Sequence, residues 1–320
     1  MKPYPWQQQE WQRLCQQQTN KRLPHALLLK GPAGMGKLRF AENFAQLLLC
    51  AAPNKQVACG GCHACHLFTQ KTHPDFYLIQ AELTSKVIKI EQIRMVCSDI
   101  LQTARQKIVI IELAEALHAA AANAMLKTLE EPSGNTLIIL ISQQVAKVPI
   151  TLRSRCQTIT FKPLPDLCEK WLQTQIAPDL PQALLLRISG GSPLLALHWA
   201  PLLAQYYALG NDLLTLQDPQ AVTQRWLGQQ EIPLWQWLSL WISDFIRMKY
   251  RGAIPYLAAP LADMPRLVNS MNLRSLFHFY DKLTQAQQKL AGNINKQILL
   301  EDIFYTWLQV LTQGKQLWKK

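Results

Sequence analysis

A short apolar run that leads through a glycine-rich turn into a helical stretch lies near the amino terminus. The run is Ala26–Leu29, the turn is residues 31–38 (GPAGMGKL) and the helical stretch is Leu38–Leu49. In a strand, loop and helix of this kind, glycines allow backbone N–H groups to face a phosphate, and the helix amino terminus adds positive potential. The pattern predicts a phosphate-binding loop with the candidate nucleotide-binding residues Gly31, Gly34, Gly36 and Lys37.

Position 38 departs from a working loop of this type. The loop normally ends in Ser or Thr, whose hydroxyl coordinates Mg²⁺, whereas Leu38 offers no oxygen. Two interpretations stay open. The loop binds phosphate without placing the metal well, or it keeps only its turn geometry and serves no nucleotide.

Strand-like and helical segments alternate over residues 1–165. The strand-like segments are Ala26–Leu29, Phe76–Ile79, Ile108–Ile111 and Leu137–Ile141, and helical segments include Leu38–Leu49 and His118–Glu130. Continuous apolar runs of this length are typical of buried parallel strands. The alternation predicts a doubly wound α/β domain, a parallel sheet flanked by helices.

The strand Ile108–Ile111 leads into Glu112 and Leu113, where an ATPase of this architecture carries consecutive acids. The first acid holds Mg²⁺ through water and the second polarises the attacking water. Glu112 can serve the first role poorly and Leu113 cannot serve the second. Glu115 is a weak substitute, and loss of a positioned general base removes roughly 10²–10⁴-fold in rate. We therefore expect no intrinsic ATP hydrolysis.

Four cysteines are inserted between the helix after the loop and the next strand: Cys50, Cys59, Cys62 and Cys65. Four thiolates at this spacing can close a tetrahedral site around Zn²⁺, and full occupation by cysteine leaves no open position, so we expect a structural metal. His63 and His66 are less favoured replacement ligands. A disulfide pair is the other alternative, disfavoured in a reducing compartment.

The chain changes character after residue 165. Strand signals fade, and we expect a small helical unit over 166–206 and an all-helical unit over 207–320, with long helices at Leu234–Tyr250, Leu273–Leu290 and Gln297–Leu311. Aromatic residues recur in the first of these helices. They could stack on single-stranded nucleic acid, but helical spacing favours a buried or subunit-facing role.

Composition limits location and partners. The longest apolar runs fall far short of the about 20 residues that span a bilayer, and the amino terminus lacks an apolar core of signal-peptide length. We expect a cytoplasmic protein without membrane contact. The net charge of +12 permits contact with a polyanion, but the basic residues are scattered, so a solvated surface explains them equally well.

Further motifs complete the pattern: Leu23–Ala26, His73–Asp75, Ala122–Pro132 and Leu152–Cys156. Together with the loop and the cysteines they resemble the clamp-loader branch of the AAA+ superfamily. The resemblance is dense over about residues 20–165 and thinner beyond. It implies an AAA+ domain over 1–165 with a four-cysteine zinc module at 50–65, a helical lid over 166–206 and a helical collar over 207–320.

In that family the Ser-Arg-Cys motif carries an arginine finger that reaches the γ-phosphate bound to the next subunit, and Arg155 matches this position. A surface salt bridge is the alternative role. Polar groups of the family's own nucleotide site are replaced here by Leu38, Leu113, Leu194 and, near the first sensor, Gln143. The resemblance thus implies a subunit that assists the hydrolysis of ATP by a neighbouring subunit. Binding of ATP and Mg²⁺ at its own site is doubtful.

The implied partners are the motor (tau/gamma) and delta subunits of the loader in a hetero-pentamer, with the sliding clamp and primed DNA reached through that complex. Two other functions stay open. One is an ATP-hydrolysing motor subunit that uses Lys37, and the other is a zinc-ribbon module that binds nucleic acid and keeps a vestigial loop.

Overall fold

The structure, a computed structural model, describes residues 2–82, 87–101, 106–131, 135–229, 231–251, 264–290 and 295–316. Two compact units divide the chain. The first comprises Met1–Ala177 and Ser189–Leu197, and the second comprises Pro178–Ile188 and His198–Lys320. The segment 166–206 is thus shared between them, and the boundaries at 165/166 and 206/207 stay predictions.

The first unit contains one sheet of five parallel strands in the order β2-β3-β4-β1-β5. The strands are β1 (Ala26–Lys30), β2 (Phe76–Ile79), β3 (Lys107–Ile111), β4 (Thr136–Ser142) and β5 (Gln157–Thr160). Every residue of β3 and β4 is buried, as expected for central parallel strands covered on both faces. The predicted α/β class and its four strands are confirmed.

Strand β5 was not predicted from the sequence. Its residues, Gln-Thr-Ile-Thr, are polar except for Ile159, which is also the one buried residue of the strand. The strand lies at the edge of the sheet, paired with β1. An edge strand needs no continuous apolar run, which explains why that criterion overlooked it.

Helices surround the sheet and form the second unit. Their bounds are α1 (Gln8–Thr19), α2 (Lys37–Leu49), α3 (His63–Thr69), α4 (Ile90–Leu101), α5 (Ala119–Glu130), α6 (Ile150–Arg153), α7 (Pro165–Gln173), α8 (Gln182–Ile188), α9 (Pro193–Trp199), α10 (Leu203–Thr215), α11 (Pro219–Leu227), α12 (Leu234–Arg251), α13 (Met264–Ser270), α14 (Leu273–Lys289) and α15 (Lys296–Gln316). Short 3-10 helices include Pro5–Gln7 and Ala114–Ala116. Within the described ranges, no helix combines the length and apolar character needed to cross a membrane.

The second unit is built around aromatic side chains. Trp237, Trp241 and Phe245 of α12 are completely buried, and Trp241 stacks on Tyr206 of α10 at a centroid distance of 5.0 Å. Trp307 of α15 stacks on Phe245 at 5.7 Å. These three residues of α12 belong to the core of the unit, so burial, not a surface for stacking nucleic acid, explains them.

The aromatic residues at the two ends of α12 are less buried than these three. Trp235 is half-buried and Tyr250 is exposed. A buried ion pair also joins α8 to α12, between Arg187 and Asp244, whose side chains are 15% and 2% exposed. The helix is therefore fixed in the unit by both apolar and charged contacts.

Candidate nucleotide and metal sites

The predicted nucleotide-site residues meet at one edge of the sheet. The glycine loop follows β1, Glu112 follows β3 and Gln143 follows β4. Because these strands are parallel and in register, with Lys30 opposite Ser142, their carboxyl ends lie at the same edge. Ligands of open parallel sheets bind at such an edge, so the fold provides the expected place for a nucleotide.

The glycines of the loop are required by close packing. A Cβ at Gly34 would lie 2.6 Å from the side chain of Leu195, and one at Gly36 would lie 2.7 Å from the ring of Tyr4. Both glycines have left-handed backbone angles, with φ of 73°. The loop's own contacts with the chain therefore account for these glycines, whether or not a phosphate is bound.

Lys37 is turned back onto its own loop. Its ammonium donates hydrogen bonds to the carbonyl oxygens of Gly31 at 2.7 Å and Pro32 at 2.6 Å, and the residue is 5% exposed. Burial lowers the pKa of Lys37 to about 8, and the carboxylates of Glu115 and Glu112 partly oppose this shift. The group that would reach a phosphate is thus already satisfied by the backbone.

The amino-terminal segment covers the loop from a second side. Trp6 donates its indole N–H to the carbonyl oxygen of Met35 at 3.0 Å, and Gln7 donates to the same oxygen at 2.8 Å and to that of Gly36 at 3.0 Å. Tyr4 stacks on Trp6 with a centroid distance of 4.8 Å. These buried hydrogen bonds hold the loop in one conformation.

At the acidic end of β3, one oxygen of Glu112 and one oxygen of Glu115 accept hydrogen bonds from protein groups. The side chain of Gln80 donates to Glu112 at 2.5 Å. Glu115 accepts hydrogen bonds from the backbone N–H groups of Gln143 at 2.9 Å and Gln144 at 3.2 Å. Leu113 lies between them in the left-handed region, with φ of 57°. Because this oxygen of Glu115 holds the turn after β4, the residue is even less suited to act as a substitute base than the sequence predicted.

The donor set does not fit a magnesium nucleotide. Leu38 supplies no ligand oxygen at the start of α2, and Leu113 supplies no carboxylate after β3. Leu194 donates its backbone N–H to the carbonyl oxygen of Gly34 at 3.2 Å. The polar groups that would clamp a triphosphate are replaced by packing and backbone contacts.

The four predicted metal ligands come together beside α2. Cys50 ends α2, Cys62 caps the start of α3 and Cys65 lies in its first turn. The Sγ atoms of Cys50 and Cys59 are 3.5 Å apart, and those of Cys59 and Cys65 are 4.0 Å apart. A tetrahedral zinc site with Zn–S bonds of roughly 2.3 Å places its sulfurs about 3.8 Å apart, so the residues fit this metal.

Local backbone hydrogen bonds favour the thiolate form of one cysteine in this cluster. The backbone N–H of Cys65 is the first of the groups that lower the pKa of Cys62 to about 6, whereas burial raises the pKa of Cys65 to about 12. No disulfide joins these cysteines in the structure, and the Sγ atoms of Cys50 and Cys59 lie 3.5 Å apart. His63 and His66 are exposed and stand outside the cluster of possible ligands found in the described residues.

Arg155 lies far from the loop. It precedes β5, and Gln157 at the start of that strand is opposite Leu27, whereas the glycine loop follows the far end of β1. The four residues of β5 span about 13 Å. Arg155 therefore emerges at the amino-terminal edge of the sheet, opposite to the edge that carries Lys37.

Three contributors to these sites were not predicted from the sequence: Trp6 and Gln7, which cover the loop, and Glu130, which pairs with Arg155. Trp6 and Gln7 lie 29 and 28 residues from Met35 in the chain, and Glu130 lies 25 residues from Arg155. Contacts at such separations leave no local pattern. The only signal was that Glu130 belongs to the motif Ala122–Pro132, whose last residue lies outside the described residues.

Comparison with known proteins identifies the family. A family model described as DNA polymerase III, delta subunit, matches residues 6–165. The DNA polymerase III subunit delta' of Pseudomonas aeruginosa is 35% identical, over 97% of this chain and 99% of that protein. The subunit delta' of Escherichia coli K12 is 28% identical, over 95% and 94%.

A solved DNA polymerase III gamma subunit-related protein of Thermotoga maritima is 17% identical, with a TM-score of 0.44, and the match covers 92% of this chain and 99% of that one. The family assignment comes from the sequence matches, which extend over nearly the whole chain and its Pseudomonas relative. The chain therefore belongs to the DNA polymerase III subunit delta' family.

Proposed function

We propose that this chain is the subunit of a DNA polymerase III clamp loader that hydrolyses no ATP itself and supplies Arg155 to the ATP site of a neighbouring subunit. The family assignment supports the assembly, because relatives that match almost end to end are named DNA polymerase III subunit delta'. The position of Arg155 carries the rest of the proposal.

Arg155 belongs to the edge of the sheet opposite to the glycine loop. An arginine about 13 Å or more along the strands from its own loop is poorly placed for a phosphate bound there. Its guanidinium is partly accessible, with 34% of the side chain exposed. A planar, permanently charged group on an outer surface suits the γ-phosphate of another subunit, where it would stabilise transition-state charge.

The chain's own loop supports the other half of the proposal. Lys37 donates to the loop's carbonyl oxygens, and Leu38 and Leu113 replace the ligand hydroxyl and the second acid. Hydrolysis needs a lysine directed at the phosphates, a bound metal and a positioned water. Since all three are compromised together, we infer that this site does not turn over ATP.

The proposal extends to the partners. The neighbour that receives Arg155 would be a motor (tau/gamma) subunit, assembled with a delta subunit in a hetero-pentamer that places a sliding clamp on primed DNA. The four cysteines would hold one structural Zn²⁺, since four thiolates leave no position for a substrate or a reactive water.

Turnover of ATP by the isolated full-length chain tests the non-hydrolysing role. We expect a rate equal to that of the Lys37→Ala variant, because Lys37 does not act on a bound triphosphate. Robust turnover that disappears in Lys37→Ala would instead establish a motor subunit and defeat the proposal.

A further inference from the structure

The guanidinium of Arg155 donates hydrogen bonds to two acceptors on its own chain. One terminal nitrogen, Nη1, donates to the carbonyl oxygen of Thr151 at 2.9 Å, and the other, Nη2, donates to the carboxylate of Glu130. A guanidinium has five N–H donors, so beyond the two acceptors in the described ranges of the chain three donors remain for a ligand. Two fixed acceptors on separate nitrogens define both the position and the plane of the group.

The two acceptors are themselves fixed by the fold. Thr151 lies in α6, directly before the turn that carries Arg155. Glu130 is the last residue of α5, and the preceding carbonyl oxygen, that of Leu129, is bonded to the ring Nε2 of His25 at 3.0 Å. His25 directly precedes β1, at the same edge of the sheet. The end of α5 is therefore tied to the sheet that also carries Arg155 through β5.

We propose that Glu130 is a positioning residue for Arg155: its carboxylate holds the guanidinium in the plane and place that a neighbour's γ-phosphate requires. This inference rests on the proposed function. Arginine is a long side chain with many rotamers, and ordering it before docking removes an entropic cost from the step that uses it. Small misplacements of a group that acts in the transition state cost large factors in rate.

Glu130 is 49% exposed and its pair with Arg155 lies at the surface. Surface ion pairs of this kind contribute little to folding. A substitution at Glu130 should therefore leave the thermal stability and the assembly of the chain unchanged, so any effect on hydrolysis would arise from the arginine.

The test measures ATP turnover by the loader reconstituted with the full-length chain. The rate with Arg155→Ala is subtracted from each rate, and the difference, the Arg155-dependent turnover, is compared between wild type and the Glu130 variants. We expect Glu130→Ala to lower this turnover by about tenfold in kcat, with KM unchanged because the neighbour's own loop binds ATP. Glu130→Gln keeps an acceptor oxygen for Nη2 and should retain at least about half of it. In the Arg155→Ala background, Glu130→Ala should have no further effect.

Glu131 provides a matched control. It is the adjacent carboxylate, it is exposed, and it forms no ion pair with the described residues. We expect Glu131→Ala to behave as wild type, which separates a specific role of Glu130 from a general loss of negative charge.

The outcomes distinguish this inference from the proposed function. If Arg155→Ala leaves turnover unchanged, the finger role itself is wrong. If Arg155→Ala lowers turnover and Glu130→Ala leaves it unchanged or raises it, only the positioning role is overturned. Equal losses in Glu130→Gln and Glu130→Ala would also overturn it, since the orientation of the guanidinium would then not depend on an acceptor oxygen.

Discussion

The carboxylate of Glu115 accepts a hydrogen bond from the backbone N–H of Gln143 at 2.9 Å and so joins the turn after β3 to the turn after β4. A second N–H, that of Gln144, reaches the same oxygen at 3.2 Å. An acid beside a nucleotide-type loop would ordinarily be considered for catalysis. Here one of its oxygens holds two adjacent turns together.

Replacement of Glu115 by alanine should lower the free energy of unfolding by about 1–2 kcal/mol, because two backbone N–H groups lose their acceptor. Glu115→Gln retains an oxygen and should lose less. Urea denaturation followed by tryptophan fluorescence measures both. Glu112→Ala is the control, since Glu112 accepts from the exposed side chain of Gln80. A variant Glu115→Ala as stable as wild type would show that this link contributes nothing.

The pH dependence of stability should report the buried position of Lys37. Its pKa is about 8 in the folded chain, against an ordinary value of 10.5. Between these two values the unfolded state binds more protons, so the contribution of Lys37 to the free energy of unfolding rises with pH. The free energy of unfolding of wild type minus that of Lys37→Met should therefore increase by about 1–3 kcal/mol from pH 8 to pH 10.5.

The control for Lys37→Met is the substitution of a lysine that lies on the surface, which removes one charge without removing a buried contact. Lys147 is exposed, and Lys147→Met, which removes the same charge from the surface, is the matched control over the same pH range. A flat difference for Lys37→Met would contradict the buried, loop-bound ammonium.

The cysteine cluster should bind one Zn²⁺ per chain, detected by elemental analysis of the purified protein. Cys62→Ser should release most of the metal and lower the melting temperature, because a tetrahedral site loses one of its four ligands. Cys97→Ser, outside the cluster, should keep the metal. If Cys62→Ser chiefly abolished tight, salt-dependent DNA binding by the isolated chain, the zinc-ribbon alternative would be correct instead.

The sequence allowed the central part of the fold to be predicted because its signals are local. The strands β1 to β4 are continuous apolar runs, and the four cysteines lie within 16 residues, from Cys50 to Cys65. Helix α14 was predicted to end at Leu290 and ends at Lys289. In each case the residues that decide the structure are neighbours in the chain.

The remainder depended on contacts between distant segments. Strand β5 is polar and lies at the sheet edge, so only its pairing with β1 defines it. The hydrogen bonds of Gln7 to Met35 and of Glu130 to Arg155 join residues that no periodicity relates. Tertiary packing also decided that Trp237 and Trp241 belong to the core of the second unit, since helical spacing alone permits either a buried or a subunit-facing role.

The most direct test of the account is the rate of ATP hydrolysis by the reconstituted loader with Arg155 replaced. We expect Arg155→Ala to lower kcat strongly while the mass of the complex stays that of wild type, because an arginine finger contributes roughly 10³–10⁵-fold at the site it serves. Arg155→Lys should restore little, since an ammonium lacks the planar, multiple donors of a guanidinium. A loader that assembles normally and hydrolyses ATP at the wild-type rate with Arg155→Ala would contradict the account.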